Sequence, residues 1–201
     1  DAGSTKAQIV EDCAPIFSPK SYFVGGHPMA GSEQTGVEAS RADLFEGAVW
    51  VLTPTSETLP SVIEKLIKLA EGLGAQPLLL DAGAHDELLA VTSHVPHITA
   101  AALVHLFAKS KNENELVQQL VASGWRDSTR IAAGSAEMWR DISLANASAL
   151  TRSLDEMIAE LQRVRGMLAG EESDALSGWF EVASHERRDH NCSRRDKRNS
   201  A

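Results

Sequence analysis

The sequence predicts an α/β portion up to about residue 80, followed by a portion built only from helices. Up to that point, short runs rich in β-branched and aromatic residues alternate with helical patterns. Beyond it, long alanine- and leucine-rich patterns follow with the spacing of helices. With 43% apolar and 23% charged residues among 201, the composition is that of an ordinary globular protein. We therefore divide the chain into segments 1–80, 81–184 and 185–201.

The α/β portion begins with an amphipathic helix and two strands. The run AQIVEDCAPIF has the spacing of a short helix, and SYFVGGHP starts as a strand and ends in a glycine-rich loop. AVWVLTP is rich in β-branched and aromatic residues and is closed by a proline, which is typical of a strand. Strands that alternate with helices favour a parallel or mixed sheet.

One further helix and a third strand complete this portion. In SETLPSVIEKLIKLAEGLG the apolar residues form one stripe, Pro60 fits the first turn, and Gly74 can end the helix. AQPLLL, which follows at once, is the third strand candidate.

Two long helices dominate the helical portion. The first, DAGAHDELLAVTSHVPHITAAALVHLFAKS, contains Pro96, which should kink it and free a carbonyl one turn earlier. NENELVQQLVAS predicts a shorter helix, and GWRDSTRIAAGS predicts a loop or a broken helix. Ser135 is a suitable N-cap for the second long helix.

The second long helix carries an apolar seam with alternating spacings of four and three. Its members are Leu150, Leu154, Met157, Leu161, Val164 and Leu168. Such a seam is typical of a helix–helix interface, which forms either within the core of a bundle or between two subunits. The spacing alone does not distinguish these two interpretations.

The distribution of charge along the chain narrows the possible classes of partner. The net charge is −9, and the last 17 residues carry about +3, so the rest of the chain lies near −12. An acidic body argues against nucleic acid as the main partner. The basic tail 185–201 has few apolar residues and is predicted to be disordered. We favour a solvated tail over one that binds nucleic acid or a membrane.

The sequence indicates a cytoplasmic protein. It has no run of 18 apolar residues and no visible signal peptide. Its two cysteines, Cys13 and Cys192, lie far apart in different environments, which argues against a disulfide framework. The opening DAGSTK does not begin with Met, which indicates either a fragment of a longer protein or a naturally degenerate chain.

A cluster of polar residues predicts a pocket in the helical portion. His94 and His97 are three residues apart and share one helix face. They could bind a metal or lie hydrogen-bonded in the core, but Thr92 and Ser93 beside them favour a polar substrate pocket. We expect no metal, because zinc requires three or four ligands.

Two further motifs carry groups that could take part in chemistry. Arg126 and Arg130 could hold a carboxylate in bidentate fashion or could be surface charges. His27, in VGGHPMAG, could be catalytic, a metal ligand or a turn residue, and His85 is a further candidate. The glycine spacing of VGGHPMAG does not fit a dinucleotide loop, and the sequence contains no Walker loop or Gly-x-Ser-x-Gly motif. These residues alone indicate a pocket for a small anion.

Several motifs taken in order resemble the prephenate dehydrogenase family, which includes the arogenate dehydrogenases of tyrosine biosynthesis. They are DAGSTK, VGGHPMAGSEQTGVEASRADLFEGAVWVLTPT, HDELLAVTSHVPH and GWRDSTRIAAGSAEMWRDI, and the likeness runs from Asp1 to about Leu168. The resemblance implies the C-terminal remnant of a Rossmann-type NAD(P)-binding domain, followed by a helical dimerisation domain. The glycine-rich unit that holds the pyrophosphate is not in this sequence, so we expect weak dinucleotide binding by this chain alone.

The resemblance also implies a reaction and a set of site residues. The reaction is oxidative decarboxylation of prephenate, with hydride transfer to NAD or NADP. By resemblance His27 is the base at the substrate hydroxyl, Ser4 orients it, and Ser4 and Gly3 lie beside the cofactor. Further substrate-binding positions implied in this way are Arg130, His97, Ser93, His94, Glu33 and Trp139.

Three alternatives stay open at this stage. The substrate could be arogenate, which would give tyrosine directly. The chain could be a truncated, non-catalytic dimerisation module, or a histidine–metal protein, although the reaction itself requires no metal. If the protein is a prephenate dehydrogenase, the resemblance implies a cytoplasmic homodimer that forms through its C-terminal helices.

Overall fold

The computed structural model describes residues 1–17, 21–31 and 36–199, with the backbone alone for Ala39 and residues 191–199. The chain divides into two compact units, Asp1–Ser153 and a second unit that begins at Leu154. The predicted boundary near residue 80 lies inside the first unit, because Asp86 accepts hydrogen bonds from the backbone at Lys6 and Ala7. The division into segments 1–80 and 81–184 stays a prediction about domains.

The described residues of the first unit include a mixed sheet of three strands. They are β1 (Gly25–Pro28), β2 (Val49–Thr53) and β3 (Gln76–Leu79), in that spatial order. β1 pairs with β2 in antiparallel register, so that His27 lies opposite Val51. β2 and β3 are parallel, as expected for strands that a helix connects. The sheet therefore places His27 on its edge strand.

The position of β1 differs from the prediction. We expected a strand that begins near Ser21 and ends in a glycine-rich loop, but the strand consists of the Gly-Gly-His-Pro residues themselves. Gly26 explains why this sequence fits. Its backbone lies so close to the carbonyl of Asp1 that a Cβ there would be only 2.6 Å from that oxygen. Glycine allows this approach, since it has no side chain.

The helices around the sheet follow their sequence signals. Helix α1 spans Ala7–Cys13 and continues into a 3-10 turn over Ala14–Ile16. Helix α2 spans Pro60–Gly72, and Pro60 occupies its first turn as predicted. Gly74 follows α2 with a φ of 78°, a left-handed conformation that favours glycine. This glycine turns the chain into β3.

The predicted long helix around Pro96 is interrupted one turn before the proline. It consists of α3 (Ala82–Leu89), a π turn (Ala90–His94) and α4 (Val95–Glu113). Asp81 caps α3 by accepting a hydrogen bond from the N–H of Ala84 at 2.9 Å. In the π turn the N–H of Val95 bonds to the carbonyl of Ala90, five residues earlier. Pro96 has no N–H to continue the α-helical ladder at this point.

The remainder of the helical portion is more broken than its apolar pattern predicts. Short helices α5 (Leu116–Gln119) and α6 (Ser123–Thr129) lead into a 3-10 turn over Arg130–Ala133. The predicted second long helix is divided at Asn146 into α7 (Ala136–Ala145) and α8 (Ala147–Ala169). Ser135 caps α7, since its side chain accepts a hydrogen bond from the N–H of Met138.

The second unit comprises the end of α8 and helix α9, which spans Ser173–Asn199. Residues 185–199 of the basic tail, for which the sequence predicts disorder, are helical in the structure, and the disorder stays a prediction. Pairs one turn apart support this helix: Arg188 donates to the Ser184 hydroxyl at 2.8 Å, and His185 lies 3.3 Å from Asp189. Residues 200 and 201 lie outside the described residues.

Within the described ranges, one helical stretch is long and apolar enough to cross a membrane, judged by length and composition alone. It is the interrupted stretch Ala82–Glu113. We interpret it as a core helix because it contains His85, Asp86 and His94, all buried and hydrogen-bonded to other side chains. The same composition occurs in core helices of proteins that cross no membrane.

Candidate functional site

A cleft of about 580 Å³ in the first unit brings together most of the predicted site residues. We call it the histidine cleft. Its lining comprises Ser4, His27, Met29, Ala30, Gly31, Ser93, His94, His97, Arg130, Ile131, Gly134, Ser135, Met138, Trp139 and Ile142. Gly3 is not among these residues, and Glu33 lies outside the described residues. The cleft is thus formed by β1, the start of the chain and the helices that follow the sheet.

His27 is half-buried on β1, and one of its ring nitrogens is already engaged. Its Nδ1 lies 2.9 Å from Nε2 of His85, and the two rings meet edge to face. Because Nδ1 is used in this contact, Nε2 is the nitrogen left for a ligand in the cleft. A free imidazole nitrogen at the cleft wall can accept a proton or a hydrogen bond.

His85 and Asp86 form a buried pair behind His27. His85 is fully buried, and its Nδ1 lies 2.7 Å from Oδ1 of Asp86. Both residues belong to α3, which brings them under β1. The three side chains form a hydrogen-bonded chain that runs from the cleft to a buried carboxylate.

The Asp86 carboxylate is held in its ionised form. Besides His85, it accepts hydrogen bonds from the backbone N–H groups of Lys6 and Ala7, each at 2.8 Å. Burial by itself would raise the pKa of Asp86, but these hydrogen bonds outweigh burial and lower the pKa below its ordinary value. A single amide oxygen could not satisfy three separate donors, which explains why a carboxylate occupies this position.

A buried lysine connects the start of the chain to the sheet. Lys6 is fully buried, and its ammonium group contacts the Asp1 carboxylate. The same carboxylate accepts a hydrogen bond from the N–H of Gly26 at 2.9 Å. Burial lowers the pKa of Lys6 to about 8. The pair fixes the segment around Ser4 against β1, next to His27.

Asn146 connects His94 to the same network. Its amide nitrogen donates to the backbone carbonyl of Asp86 at 2.7 Å and lies 3.2 Å from Nδ1 of His94. An amide nitrogen only donates, so Nδ1 of His94 is the acceptor and the proton of the neutral ring resides on Nε2. Nε2 of His94 is therefore a hydrogen-bond donor.

His97 and Trp139 form a stacked pair at the cleft wall. Their ring centroids are 3.5 Å apart and their planes differ by 14°. The ring of Trp139 also meets His94 edge to face, at 6.1 Å. Such stacking fixes the orientation of His97, which is predicted to bind the substrate.

The two arginines of the GWRDSTR motif differ in position. Arg130, at the start of the 3-10 turn, lines the cleft, whereas Arg126 on α6 does not. A guanidinium of Arg126 instead donates to the backbone carbonyl of Val121 at 3.3 Å. Arg130 is thus the arginine that can reach an anion in the cleft, and its guanidinium suits a carboxylate.

The sequence identified His85 only as a candidate and did not indicate roles for Asp86 and Asn146. In an uninterrupted α-helix, His85 and His94 are nine residues apart and would lie on opposite faces. The π turn between them changes the angle between their two helix faces, and no local sequence pattern predicts such a turn. Asn146 is buried at the break between α7 and α8, but the apolar seam predicted a continuous helix there, so this residue was not considered.

No group of three or more histidine, cysteine, aspartate or glutamate side chains suited to a metal ion occurs in the part of the chain that the structure describes.

The surroundings of the cleft histidines favour their neutral forms. Burial lowers the pKa of His27 to about 4, and repulsion from His85 and Lys6 adds to this effect. Burial also lowers the pKa of His94 and of His97.

These lowered pKa values predict that acid destabilises the fold. Between about pH 4 and pH 6.5 the unfolded chain binds a proton at position 27 that the folded chain does not. The free energy of unfolding should therefore fall as the pH falls through this range, by at most about 1.4 kcal/mol per pH unit for each such proton. Urea unfolding at pH 7 and pH 5 measures this difference.

His27→Asn should reduce that pH dependence, whereas His105→Asn, at an exposed position on α4, should leave it unchanged. An equal or higher unfolding free energy at pH 5 in the unsubstituted protein would contradict the expectation.

Two family models match the chain. Residues 1–79 match "Prephenate dehydrogenase, nucleotide-binding domain", and residues 81–182 match "Prephenate dehydrogenase, dimerization domain". The chain is 40% identical over 183 residues to the prephenate dehydrogenase of Bacillus subtilis (strain 168), covering 91% of this chain and 49% of the relative. It therefore spans about half the length of that relative. It is 34% identical to the cyclohexadienyl dehydrogenase of Zymomonas mobilis, covering 93% of this chain and 64% of that protein.

The chain is also similar to solved structures of prephenate and arogenate dehydrogenases. A prephenate dehydrogenase from A. aeolicus, in complex with hydroxyphenyl propionate and NAD+, superposes with a TM-score of 0.86 at 32% identity, covering 93% of this chain and 65% of that one. An arogenate dehydrogenase from Synechocystis superposes with a TM-score of 0.83 at 30% identity, covering 94% and 68%.

Proposed function

The chain belongs to the prephenate dehydrogenase family, and we propose that its protein converts prephenate to 4-hydroxyphenylpyruvate with NAD+ or NADP+ as hydride acceptor. The observation that carries this proposal is the histidine cleft. It places His27, Ser4 and Arg130 around one cavity, so that a hydrogen-bond acceptor, a hydroxyl and a cation face the same space. Prephenate has a carbinol hydroxyl and two carboxylates, and these groups match that set.

In this proposal His27 acts on the hydroxyl of the substrate. Its free Nε2 accepts the hydroxyl proton as the carbinol carbon is oxidised. Loss of the ring carboxylate as CO₂ returns the electron pair of the broken C–C bond to the ring, which becomes aromatic. The oxygen then carries negative charge and recovers its proton from His27. Ser4, at the same wall, orients the hydroxyl.

Arg130 holds a carboxylate of the substrate in this assignment. A planar guanidinium can donate two parallel hydrogen bonds to one carboxylate and so fix the direction of the ring. The donor at Nε2 of His94 and the stacked His97 offer further contacts along the cleft. Ser93 completes this side of the cavity.

The cleft also fits the reacting end of a nicotinamide cofactor, which supplies hydride acceptance when bound. Ser4, Ala30 and Gly31 are small, neutral residues that line the cleft together with His27. Among the described residues, no atom lies within 4 Å of a Cβ built at Gly31. A flat ring can lie against such a surface, and Ser4 with the neighbouring Gly3 would face it.

The test is a turnover assay on the full-length protein that the gene encodes. Prephenate and arogenate are each supplied with NAD+ and with NADP+, and the absorbance of the reduced cofactor is followed. We expect oxidation of prephenate together with release of CO₂. Turnover of arogenate alone would assign the protein to the arogenate branch. No turnover of either substrate, in a folded protein, would favour a non-catalytic dimerisation module.

We further propose that the protein is a homodimer formed through its C-terminal helices. The family model over residues 81–182 describes a dimerisation domain. On α8 and α9, several large apolar side chains are more than half exposed in the single chain: Leu161, Leu168, Phe180 and Val182. Burial of such side chains stabilises association by about 25 cal/mol per Å². Leu161 and Leu168, two members of the seam predicted from the sequence, are therefore available for an interface between subunits, whereas Leu150 at its start is buried within the single chain.

A charge at Leu161 should weaken this dimer. Leu161→Glu is expected to shift the protein towards monomer at micromolar concentration, because it would bury a carboxylate among apolar side chains. Ala159→Glu adds the same charge on the opposite face of α8, where it is exposed, and should leave the dimer intact. Sedimentation velocity compares the two variants, and equal behaviour would argue against this interface.

We also place the protein in the cytoplasm, with small molecules as its ligands and neither nucleic acid nor a membrane as a partner. The free thiol of Cys13 and the acidic net charge of −9 support this assignment. Expression of a tagged protein followed by fractionation tests it.

A further inference from the structure

Behind His27 lies a buried histidine–aspartate pair that does not line the histidine cleft. His85 is 0% exposed and Asp86 is 4% exposed. We propose that His85 and Asp86 are positioning residues, which hold His27 in the tautomer with a free Nε2 and take up the charge that His27 acquires. This inference rests on the proposed function, because it assigns the pair to the reaction in which His27 accepts a proton.

The hydrogen positions follow from the Asp86 end of the chain. An ionised carboxylate only accepts, so the hydrogen between Asp86 and His85 resides on Nδ1 of His85. In neutral His85, Nε2 is then an acceptor, and the hydrogen of the 2.9 Å contact resides on Nδ1 of His27. Nε2 of His27 therefore carries a lone pair that faces the cleft. A free imidazole has no such constraint.

The same chain can relocate positive charge. When the substrate hydroxyl gives its proton to Nε2 of His27, the hydrogen on Nδ1 of His27 can pass to Nε2 of His85. His27 is then neutral again, and His85 is an imidazolium whose Nδ1–H donates to the Asp86 carboxylate at 2.7 Å. The two transfers reverse when the product oxygen recovers its proton, so no proton is gained or lost overall.

The surroundings of His27 make this relocation useful. The charged and titratable groups that act on His27 are His85, Lys6, His94 and Asp86, and burial is the largest influence. Burial lowers the pKa of His27 to about 4, so an isolated imidazole here would hold a proton poorly. Asp86, in contrast, is ionised and is the nearest negative partner of His85. Transfer of charge towards Asp86 offsets the weak basicity of His27.

Two substitutions of His85 separate positioning from simple packing. The Oε1 of glutamine can occupy the place of Nε2 and accept from His27, so His85→Gln should preserve the His27 tautomer. His85→Asn is shorter and can contact Asp86 but does not reach His27. Long-range ¹H–¹⁵N NMR correlations report which ring nitrogen carries hydrogen. We expect His27 and His85 to be protonated on Nδ1 in the unsubstituted protein, and His27 to lose this preference only in His85→Asn.

Kinetics on the protein as encoded gives a second readout. We expect His85→Asn to lower kcat roughly 10- to 100-fold with little change in KM, by analogy with groups that orient a metal-binding imidazole from behind. His85→Gln should retain more of kcat, because it keeps His27 in the correct tautomer. A KM effect as large as the kcat effect, or equal losses in both variants, would overturn the positioning role.

The NMR result separates this inference from the proposed function. If His27 carries its hydrogen on Nε2 in the unsubstituted protein, the positioning role is wrong whatever the protein catalyses. If the tautomer is as expected but neither prephenate nor arogenate is oxidised, the proposed function fails, and the role of the pair in that reaction fails with it. Urea unfolding of both variants shows whether any loss reflects a damaged fold.

Discussion

His27→Asn is expected to lower kcat for prephenate oxidation by about 10²- to 10⁴-fold, the usual contribution of a general base. The amide of asparagine can keep a hydrogen bond near the position of Nδ1, but it offers no basic nitrogen to the cleft. KM should change much less, because Arg130 would still bind the substrate carboxylate. Steady-state rates with saturating cofactor measure both constants.

The control for this substitution is another histidine. His105→Asn changes the same residue type at an exposed position on α4, away from the histidine cleft, and should leave kcat unchanged. A His27→Asn variant as active as the His105→Asn variant would remove His27 from the mechanism. Because both variants lack one histidine, a loss of kcat in His27→Asn alone cannot be caused by the removal of a histidine as such.

Arg130→Lys should raise KM for prephenate roughly 10- to 100-fold, because lysine keeps the charge but loses the two-pronged hydrogen bonding of the guanidinium. Arg130→Met, which removes the charge as well, should raise KM further. The rate at saturating substrate should fall less than in His27→Asn, since the base is intact. Substrate titration of both variants measures these effects.

Arg126 provides a matched control only four residues away. Its guanidinium contacts the carbonyl of Val121 and does not line the cleft. Arg126→Lys should therefore leave KM unchanged. A similar rise of KM in Arg126→Lys and Arg130→Lys would indicate a general electrostatic effect and argue against direct binding by Arg130.

The sequence predicted those elements whose signals are local. Pro60 and Gly74 bound α2 as expected, and Ser135 caps α7 through its own hydroxyl. The β-branched and aromatic run AVWVLTP located β2, and the apolar run AQPLLL located β3. In each case a residue acts on its own neighbours within one turn, so the relevant physics is contained in a short window.

The features that were missed depend on distant partners. β1 forms where Gly26 can approach Asp1, a contact between residues 25 positions apart. Asn146 divides the predicted second long helix while it bonds to the backbone of Asp86, 60 positions away. Neither signal is visible in a local window, since a glycine or an asparagine has many other uses.

The candidate site was predicted in part for the same reason. Family resemblance, and not spacing, selected His27, Ser4 and Arg130, and the cleft contains all three. The assigned roles stay predictions. The pair behind His27 was not indicated, because nothing in an isolated helix marks His85 as the neighbour of a strand residue 58 positions earlier. Its contact exists only after the sheet and α3 pack together.

The π turn has a consequence for how this site can change over evolution. One residue more or fewer in a helix rotates everything beyond it by about 100°. The turn over Ala90–His94 therefore sets the rotational phase between His85 and Asp86 before it and His94 and His97 after it. Loops around the site can vary in length without altering that phase, whereas an insertion or deletion within these five residues would turn one half of the site away from the other. Length in this segment should consequently be among the most strictly constrained properties of the chain.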